Sequence, residues 1–189
     1  MPSRPRRRPR PPRSSVPGVT RVLLVAATVL AGCQGLSPDT LKAVADLQPT
    51  RGHTASGTVR FYQMEDKVRV VARVSGLAPG REHGFHIHEA GDCSSGDGMS
   101  AGGHFNPGRT PHGHFSSAER HAGDLPALAA DALGSSGLQV DLDLIRVEPG
   151  PASVIGRGLI VHADPDDYRT QPGGNSGARI ACGVIRRVR

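Results

Sequence analysis

Apolar and polar residues alternate with a period of two along much of the chain. In 67–74 every second residue is Val or Ala, and in 138–145 every second residue is Leu or Val. This alternation is typical of strands with one buried face. Further strands are predicted at 41–47, 54–62, 82–88, 155–162 and 179–187. Turn sequences such as Ala78-Pro79-Gly80 separate them, so the pattern predicts an all-β sandwich or barrel.

Three segments depart from this alternation. In 125–134 the spacing of Leu125, Leu128 and Leu133 favours a helix locally, whereas the overall pattern favours an irregular strand. The stretches 89–123 and 163–178 show no strand pattern at all. Long loops inside a compact domain are usually functional, so we expect functional residues there.

The N-terminal region is typical of an export signal. Residues 1–21 are rich in Arg and Pro, and an apolar run from Val22 to Ala31 is too short for a bilayer span of about 20 residues. The sequence Leu-Ala-Gly-Cys ending at Cys33 resembles a bacterial lipobox. This predicts removal of 1–32, lipidation of Cys33, a tether over 33–40 and a domain over 41–189. A plain signal peptide with an incidental cysteine is the alternative.

The net charge argues against nucleic-acid binding. The chain carries +6, but seven arginines lie in 1–32, which leaves sixteen basic against seventeen acidic residues in the remainder. A nucleic-acid-binding domain should carry its basic surplus on the folded part. Aromatic residues make up 3% with no Trp, which argues against base stacking.

Apart from Cys33, the chain contains two cysteines, Cys93 and Cys182. In an exported protein such a pair usually forms a disulfide, here closing a loop of about 90 residues. Two free thiols are the alternative, which an oxidising compartment disfavours.

A His-x-His pair ends one predicted strand. The spacing of two puts His86 and His88 on one face, and Phe85 and Ile87 on the other. We expect the apolar pair to face the core and both imidazoles to point away from it. Two adjacent neutral imidazoles can chelate a borderline metal ion.

More histidines, and one nearby acid, lie at strand ends or in the long loops: His104, His112, His121, Asp124 and His162. Three His and one carboxylate suit tetrahedral zinc, and four His suit tetragonal copper(II). Seven side chains supply both sets only if one imidazole is shared, and a deprotonated ring has the two nitrogen donors that sharing requires.

Five motifs with these residues are similar to copper/zinc superoxide dismutases, especially bacterial periplasmic or lipoprotein forms. They are GFHIHE, GGHFNP, RHAGDL, LIVHADPDD and GARIACGVI, in the family's order within residues 41–189. The resemblance implies an eight-stranded Greek-key β-barrel or sandwich. It implies a superoxide dismutase with superoxide as substrate and with copper and zinc as cofactors. A non-catalytic copper- or zinc-binding module of the same fold and an adhesion-type sandwich are the alternatives.

The resemblance also implies individual roles. The implied copper ligands are His86, His88, His104 and His162, and the implied zinc ligands are His104, His112, His121 and Asp124. His104 would be the bridging imidazolate, Asp166 would link His86 to His112, and Arg179 would be the active-site arginine. Cys93 and Cys182 match the family's disulfide. The lipobox resemblance implies an envelope or periplasmic location with a lipid anchor at Cys33. Both a homodimer and a monomer occur among bacterial members of the family.

The other polar residues have simpler interpretations. His53, His83 and His114 match no ligand position, and His114 is interpreted as a solvated loop residue. The basic residues at 67, 69 and 73 are expected on an exposed strand face. Asp167 is interpreted as a solvated charge, whereas Tyr168 either stabilises its loop or lines the active-site entrance.

Overall fold

The computed structural model describes residues 40–188, and nearly all regular structure there is β-strand. The strands are β1 Thr40–Pro49, β2 Ser56–Gln63, β3 Val68–Ser75, β4 Glu82–His83, β5 Phe85–His88, β6 Leu128–Ala129, β7 Ser136–Leu142, β8 Gly158–His162, β9 Arg179–Val184 and β10 Arg186–Arg187. Within these residues there is no α-helix, only a 3₁₀ turn at Met99–Ala101. No helix of the described part is long and apolar enough to cross a membrane.

Eight strands form one antiparallel sheet in the order β5-β8-β9-β1-β2-β3-β7, with β10 paired to β1. β1 connects the two halves of this sheet, because it pairs with β2 over most of its length and with β9 at Gln48 and Pro49. The predicted eight-stranded all-β fold is confirmed. β4 and β6 form a separate two-stranded pair.

The period-two pattern marks the core. Val68, Val70, Ala72 and Val74 of β3 are all buried, whereas the residues between them are at least partly exposed. They pack in one cluster that includes Phe61 of β2. Burial of each Val or Phe side chain contributes roughly 1.5–3 kcal/mol, so this face contributes substantially to the stability of the fold.

The helical alternative for 125–134 is wrong. Leu128 and Ala129 instead form β6, where Leu128 pairs with His83. A helix would place Leu133 on the same face as the buried Leu125, yet Leu133 is 88% exposed. Pro126 also disfavours a helical conformation for the residue that precedes it.

The predicted disulfide is present, and it joins the first long loop to the sheet. Cys93 lies in the loop after β5 and Cys182 lies in β9, with Cα atoms 5.9 Å apart. Cys182 is buried beside Ala101 and Ile160. The signal sequence predicted over 1–32 and the lipid-acceptor cysteine Cys33 lie outside the described residues.

Candidate metal centre

Backbone pairing of β5 brings the two long loops together. One edge of β5 pairs with β8, so that His86 lies opposite Ile160. On the other edge, Ile87 donates to the Gly123 carbonyl (2.9 Å), and Phe105 donates to the Ile87 carbonyl (2.8 Å). Isolated bridges join His88 to His104 and His86 to Asp124. Residues far apart in sequence therefore meet along a single four-residue strand.

The structure places the seven implied ligands in two groups that share His104. Within each group, donor atoms lie within 4.8 Å of one another. The groups are His86, His88, His104 and His162, and His104, His112, His121 and Asp124. The His104 ring centroid lies 5.0 Å from that of His88 and 5.3 Å from that of His112. The shared imidazole that the count of donors required is therefore the central ring of the cluster.

In the first group, hydrogen bonds fix which nitrogen of each imidazole faces the cluster. His88 donates through Nδ1 to the Gly102 carbonyl (3.0 Å), and His162 donates through Nδ1 to the Gly177 carbonyl (3.3 Å). His86 donates through Nε2 to a carboxylate. The nitrogens left without a partner, all buried, are His86 Nδ1, His88 Nε2 and His162 Nε2.

The second group is arranged around one oxygen of Asp124. Asp124 Oδ1 lies 2.9 Å from His104 Nδ1, 3.1 Å from His112 Nδ1 and 3.4 Å from His121 Nδ1. The other oxygen, Oδ2, accepts the backbone N–H groups of Gly113 (3.2 Å) and His121 (2.8 Å). Because backbone donors hold Oδ2, the carboxylate stays oriented with Oδ1 towards the three imidazoles.

The donor set fits bound metal ions. Five of the six ligand histidines keep a buried ring nitrogen that makes no hydrogen bond. For His112 and His121 this nitrogen lies near the Asp124 carboxylate, but not in hydrogen-bond geometry. Leaving several buried polar atoms unpaired would be expensive in free energy, whereas coordination satisfies all of them at once. Imidazole and carboxylate donors suit copper and zinc.

Burial keeps several of these rings neutral. It lowers the pKa of His104 to about 4 and the pKa of His162 to about 3, helped in both by repulsion from His86. Burial and the neighbouring His104 also lower the pKa of His88 well below its ordinary value. Metal ions bind the neutral ring, so His88 and His162 need lose no proton at pH 7 before binding, whereas His104 would have to give up its one ring proton to serve both groups.

His112 differs because it faces two carboxylates. Burial lowers its pKa, but the two adjacent carboxylates, Asp124 and Asp166, outweigh that effect and raise the pKa to about 9. The same histidine contacts, against the effect of burial, hold the pKa of both carboxyls below their ordinary range. A position where two buried carboxylates stabilise a proton also stabilises a divalent cation in its place.

An open cleft of about 620 Å³ leads to the cluster. His88, His104 and His162 line its inner part, and Arg179 lines its wall. The Arg179 guanidinium donates to the carbonyls of Gly98 and Gly102, each at 2.7 Å. These neutral acceptors fix its direction without cancelling its charge. Burial lowers its pKa, the Asp97 carboxylate acts in the opposite direction, and the guanidinium stays charged.

The remaining histidines lie outside both groups. His83 is buried, donates through Nδ1 to the His162 carbonyl (2.8 Å) and accepts from the Ala78 N–H (3.2 Å). His53 is exposed. His114 is not simply solvated, because its ring packs 4.6 Å from that of Tyr168. Tyr168 and His114 line a separate depression, so Tyr168 belongs to the loop rather than to the cleft wall.

Two charged residues that the sequence analysis placed on the exposed surface also make hydrogen bonds. Asp167 is exposed but accepts hydrogen bonds from the backbone of Arg169 and Thr170, which shapes the turn after Asp166. On the outer face of β3, Arg69 binds Asp141 of the neighbouring strand through Nε at 2.7 Å. Both are local structural contacts away from the two metal-binding groups.

Backbone groups are the part of the site that sequence reasoning missed. The carbonyls of Gly98, Gly102 and Gly177 and the N–H of Gly113 orient the side chains described above. Every residue has these groups, so composition gives no signal for them. The glycines in GGHFNP and GARIACGVI were a partial signal, since backbone can approach closely only where no Cβ intervenes.

Comparisons with known proteins agree with this geometry. The family model described as "Copper/zinc superoxide dismutase (SODC)" matches residues 55–185. A relative from Aquifex aeolicus, Superoxide dismutase (Cu-Zn) 2, is 37% identical over 86% of this chain and 96% of its own length. A relative from Deinococcus radiodurans, Superoxide dismutase (Cu-Zn), is 38% identical over 88% of this chain and 94% of its own.

The fold also matches a solved structure, that of the clock protein EA4. It is 38% identical in sequence and superposes with a TM-score of 0.71. The match covers 79% of this chain and 96% of that one.

Proposed function

The chain belongs to the copper/zinc superoxide dismutase family and converts superoxide to dioxygen and hydrogen peroxide, and we propose that the seven clustered side chains hold its two metal ions. The proposed copper ligands are His86, His88, His104 and His162. The proposed zinc ligands are His104, His112, His121 and Asp124. The observation that supports this most is the set of buried ring nitrogens that point at one another without a partner.

The nitrogen assignment follows from the hydrogen bonds. His104 Nδ1 faces Asp124, so its Nε2 is the atom that remains for the copper group. When bound, copper supplies one-electron exchange between Cu(II) and Cu(I), while zinc is redox-inert and supplies a fixed positive charge. The role of His104 would be to hold both groups at a fixed separation, and its Nε2 would hold a proton for the departing peroxide only while copper is not bound to that atom.

Arg179 binds the substrate in this proposal. Superoxide is a small anion, and a guanidinium held by two neutral carbonyls offers it a fixed positive charge with N–H donors. A focused positive charge in a cleft raises the rate of encounter with an anion, and salt weakens the effect. For this rate of encounter, the local positive charge at the cleft wall has more influence than the near-zero net charge of the folded part.

Asp166 is the proposed link between the two metal groups. It touches one ring of each through a different oxygen, His86 through Oδ2 and His112 through Oδ1. Carboxylates in this position fix the tautomer and the orientation of a ligand imidazole. The two unpartnered atoms, His86 Nδ1 and His112 Nδ1, are the ones that this arrangement leaves for coordination.

Metal analysis of the disulfide-bonded domain tests the ligand assignment. We expect copper and zinc in equal amounts, about one of each per chain, together with superoxide consumption. Zinc alone, without superoxide consumption, would contradict the copper ligand set. Loading the protein with each metal separately and measuring which histidine resonances shift then assigns each histidine ligand to its ion.

The location of the protein is a separate proposal. The Cys93–Cys182 disulfide is typical of oxidising compartments. We propose that Cys33, which follows Leu30-Ala31-Gly32, carries a lipid anchor. Stable membrane anchoring takes two signals, for example two acyl chains, and mass spectrometry of the mature N-terminus together with cell fractionation tests for them. An unmodified Cys33 in a soluble envelope fraction would contradict the lipid anchor.

The oligomeric state is a separate question, and sedimentation velocity distinguishes a homodimer from a monomer.

A further inference from the structure

Gln171 holds the backbone of His112 from both sides. Its side-chain Oε1 accepts the His112 N–H at 2.8 Å, and its Nε2 donates to the His112 carbonyl at 3.0 Å. The two residues are 59 positions apart in sequence. One side-chain amide therefore joins the loop of residues 163–178 to the loop that follows β5, at a proposed zinc ligand.

The same loop also holds the His112 ring. Asp166 Oδ1 lies 2.9 Å from His112 Nε2, so backbone and imidazole are both fixed by residues of 163–178. A pair of hydrogen bonds to the N–H and the carbonyl of one residue, which belong to the two peptide units on either side of its Cα, defines the position and direction of that residue more tightly than a single bond. With the backbone fixed by Gln171 and the ring by Asp166, His112 Nδ1 has one direction left, towards Asp124.

The contact also involves the wall of the cleft. Thr170, Gln171, Pro172 and Gly173 all line it. A Cβ built on Gly173 would lie 3.4 Å from His104 Nε2, so this stretch packs directly against the central imidazole. Displacing Gln171 would therefore disturb the zinc group and the entrance to the copper group together.

We propose that Gln171 is a positioning residue for His112, and that its side-chain amide sets how firmly the protein retains zinc. This proposal rests on the zinc ligand set assigned above. The competing explanation is that Gln171 only fastens its loop to the domain. In that case its loss would lower stability without altering the geometry at the metal.

The test compares Gln171→Met and Gln171→Ala with the wild type, as full-length, disulfide-bonded protein. Methionine keeps much of the side-chain volume but makes neither hydrogen bond. Gln139→Ala is the matched control, because Gln139 is exposed on β7 and has no side-chain hydrogen bond within residues 40–188. The measurements are zinc release to a chromophoric chelator, the visible absorption of cobalt(II) at the zinc position, and thermal unfolding of the metal-free protein.

We expect both Gln171 variants to release zinc about tenfold faster, at the lower end of the effect of removing an outer partner of a metal ligand. We also expect altered cobalt(II) absorption bands, while Gln139→Ala matches the wild type in both measurements. An unchanged release rate, or unchanged cobalt bands with only a lower unfolding temperature, would overturn the proposal. His121→Ala distinguishes failure of the Gln171 proposal from failure of the zinc ligand assignment, because retention of zinc in that variant would contradict the ligand set itself.

Discussion

The Nε2 atom of His86 lies 2.7 Å from Asp166 Oδ2, and both side chains are buried. The second oxygen of Asp166 holds His112, so one carboxylate orients a ring in each metal group. We expect Asp166→Ala to weaken metal binding by about 10–100-fold, because both rings lose the partner that fixes their tautomer. Competition with a chelator of known affinity measures this. Glu65→Gln in the exposed β2–β3 turn is the control, and equal affinities in the two variants would contradict the role.

His104 is the only residue that belongs to both donor groups within the described part of the chain. His104→Ala removes one ligand from each group and the proposed proton-holding nitrogen, so superoxide consumption should fall to the background rate. Pulse-radiolysis decay of superoxide, combined with metal analysis, measures both effects. His53→Ala, at an exposed histidine outside the cluster, should behave as the wild type. Substantial activity in metal-loaded His104→Ala would exclude the bridging role.

Arg179 should act on encounter with the substrate rather than on metal retention. Arg179→Ala should lower the second-order rate by roughly tenfold or more at low ionic strength and flatten its salt dependence, since the focused charge is lost. Metal content should stay unchanged, because within the described residues the guanidinium of Arg179 donates its hydrogen bonds to the backbone carbonyls of Gly98 and Gly102 and not to a ligand side chain. Arg179→Lys should retain part of the rate, and Arg73→Ala on the outer sheet face should have no effect. A variant with unchanged kinetics would refute substrate guidance.

The disulfide should stabilise both the fold and the position of Arg179. It closes a loop with a sequence separation of 89 residues, and chain entropy gives about 4.6 kcal/mol for a loop of this size. Replacing Cys93 and Cys182 together with alanine should lower the free energy of unfolding by a comparable amount in denaturant titrations. Gly98, which accepts from Arg179, lies only five residues after Cys93, so the rate should also fall. Identical unfolding midpoints for the wild type with and without reductant would contradict this prediction.

Side-chain pattern made most of the sheet predictable, the family motifs gave the proposed ligand set, and backbone geometry accounts for what neither predicted. The alternation in 67–74 placed β3 correctly, because one buried face imposes a period of two. The same rule was incomplete for His86 and His88, which were expected to point away from the core. They do so, yet both are fully buried, because the two long loops cover that face. The helix-like spacing in 125–134 misled because pairing with β4, a tertiary contact, decides the local structure there.

Gly174 combines two constraints that can be separated experimentally. It has a φ of +67°, which favours glycine, and a Cβ at this position would overlap Asp166 Oδ1 and lie 2.7 Å from His112 Nε2. Gly80 has nearly the same φ, +69°, but no heavy atom within 4 Å of its Cβ position. Alanine at either site should therefore incur a similar conformational penalty of about 1–2 kcal/mol.

Only Gly174→Ala should also displace the carboxylate that joins the two metal groups. We expect Gly80→Ala to lower the unfolding temperature while retaining its metals and its rate. Gly174→Ala should lower the unfolding temperature further and lose zinc to a chelator that the control variant resists. Differential scanning calorimetry and metal analysis of both variants decide the matter. If the two behave alike, backbone conformation alone explains the glycine, and the close approach of this loop to Asp166 has no role in holding the metal site.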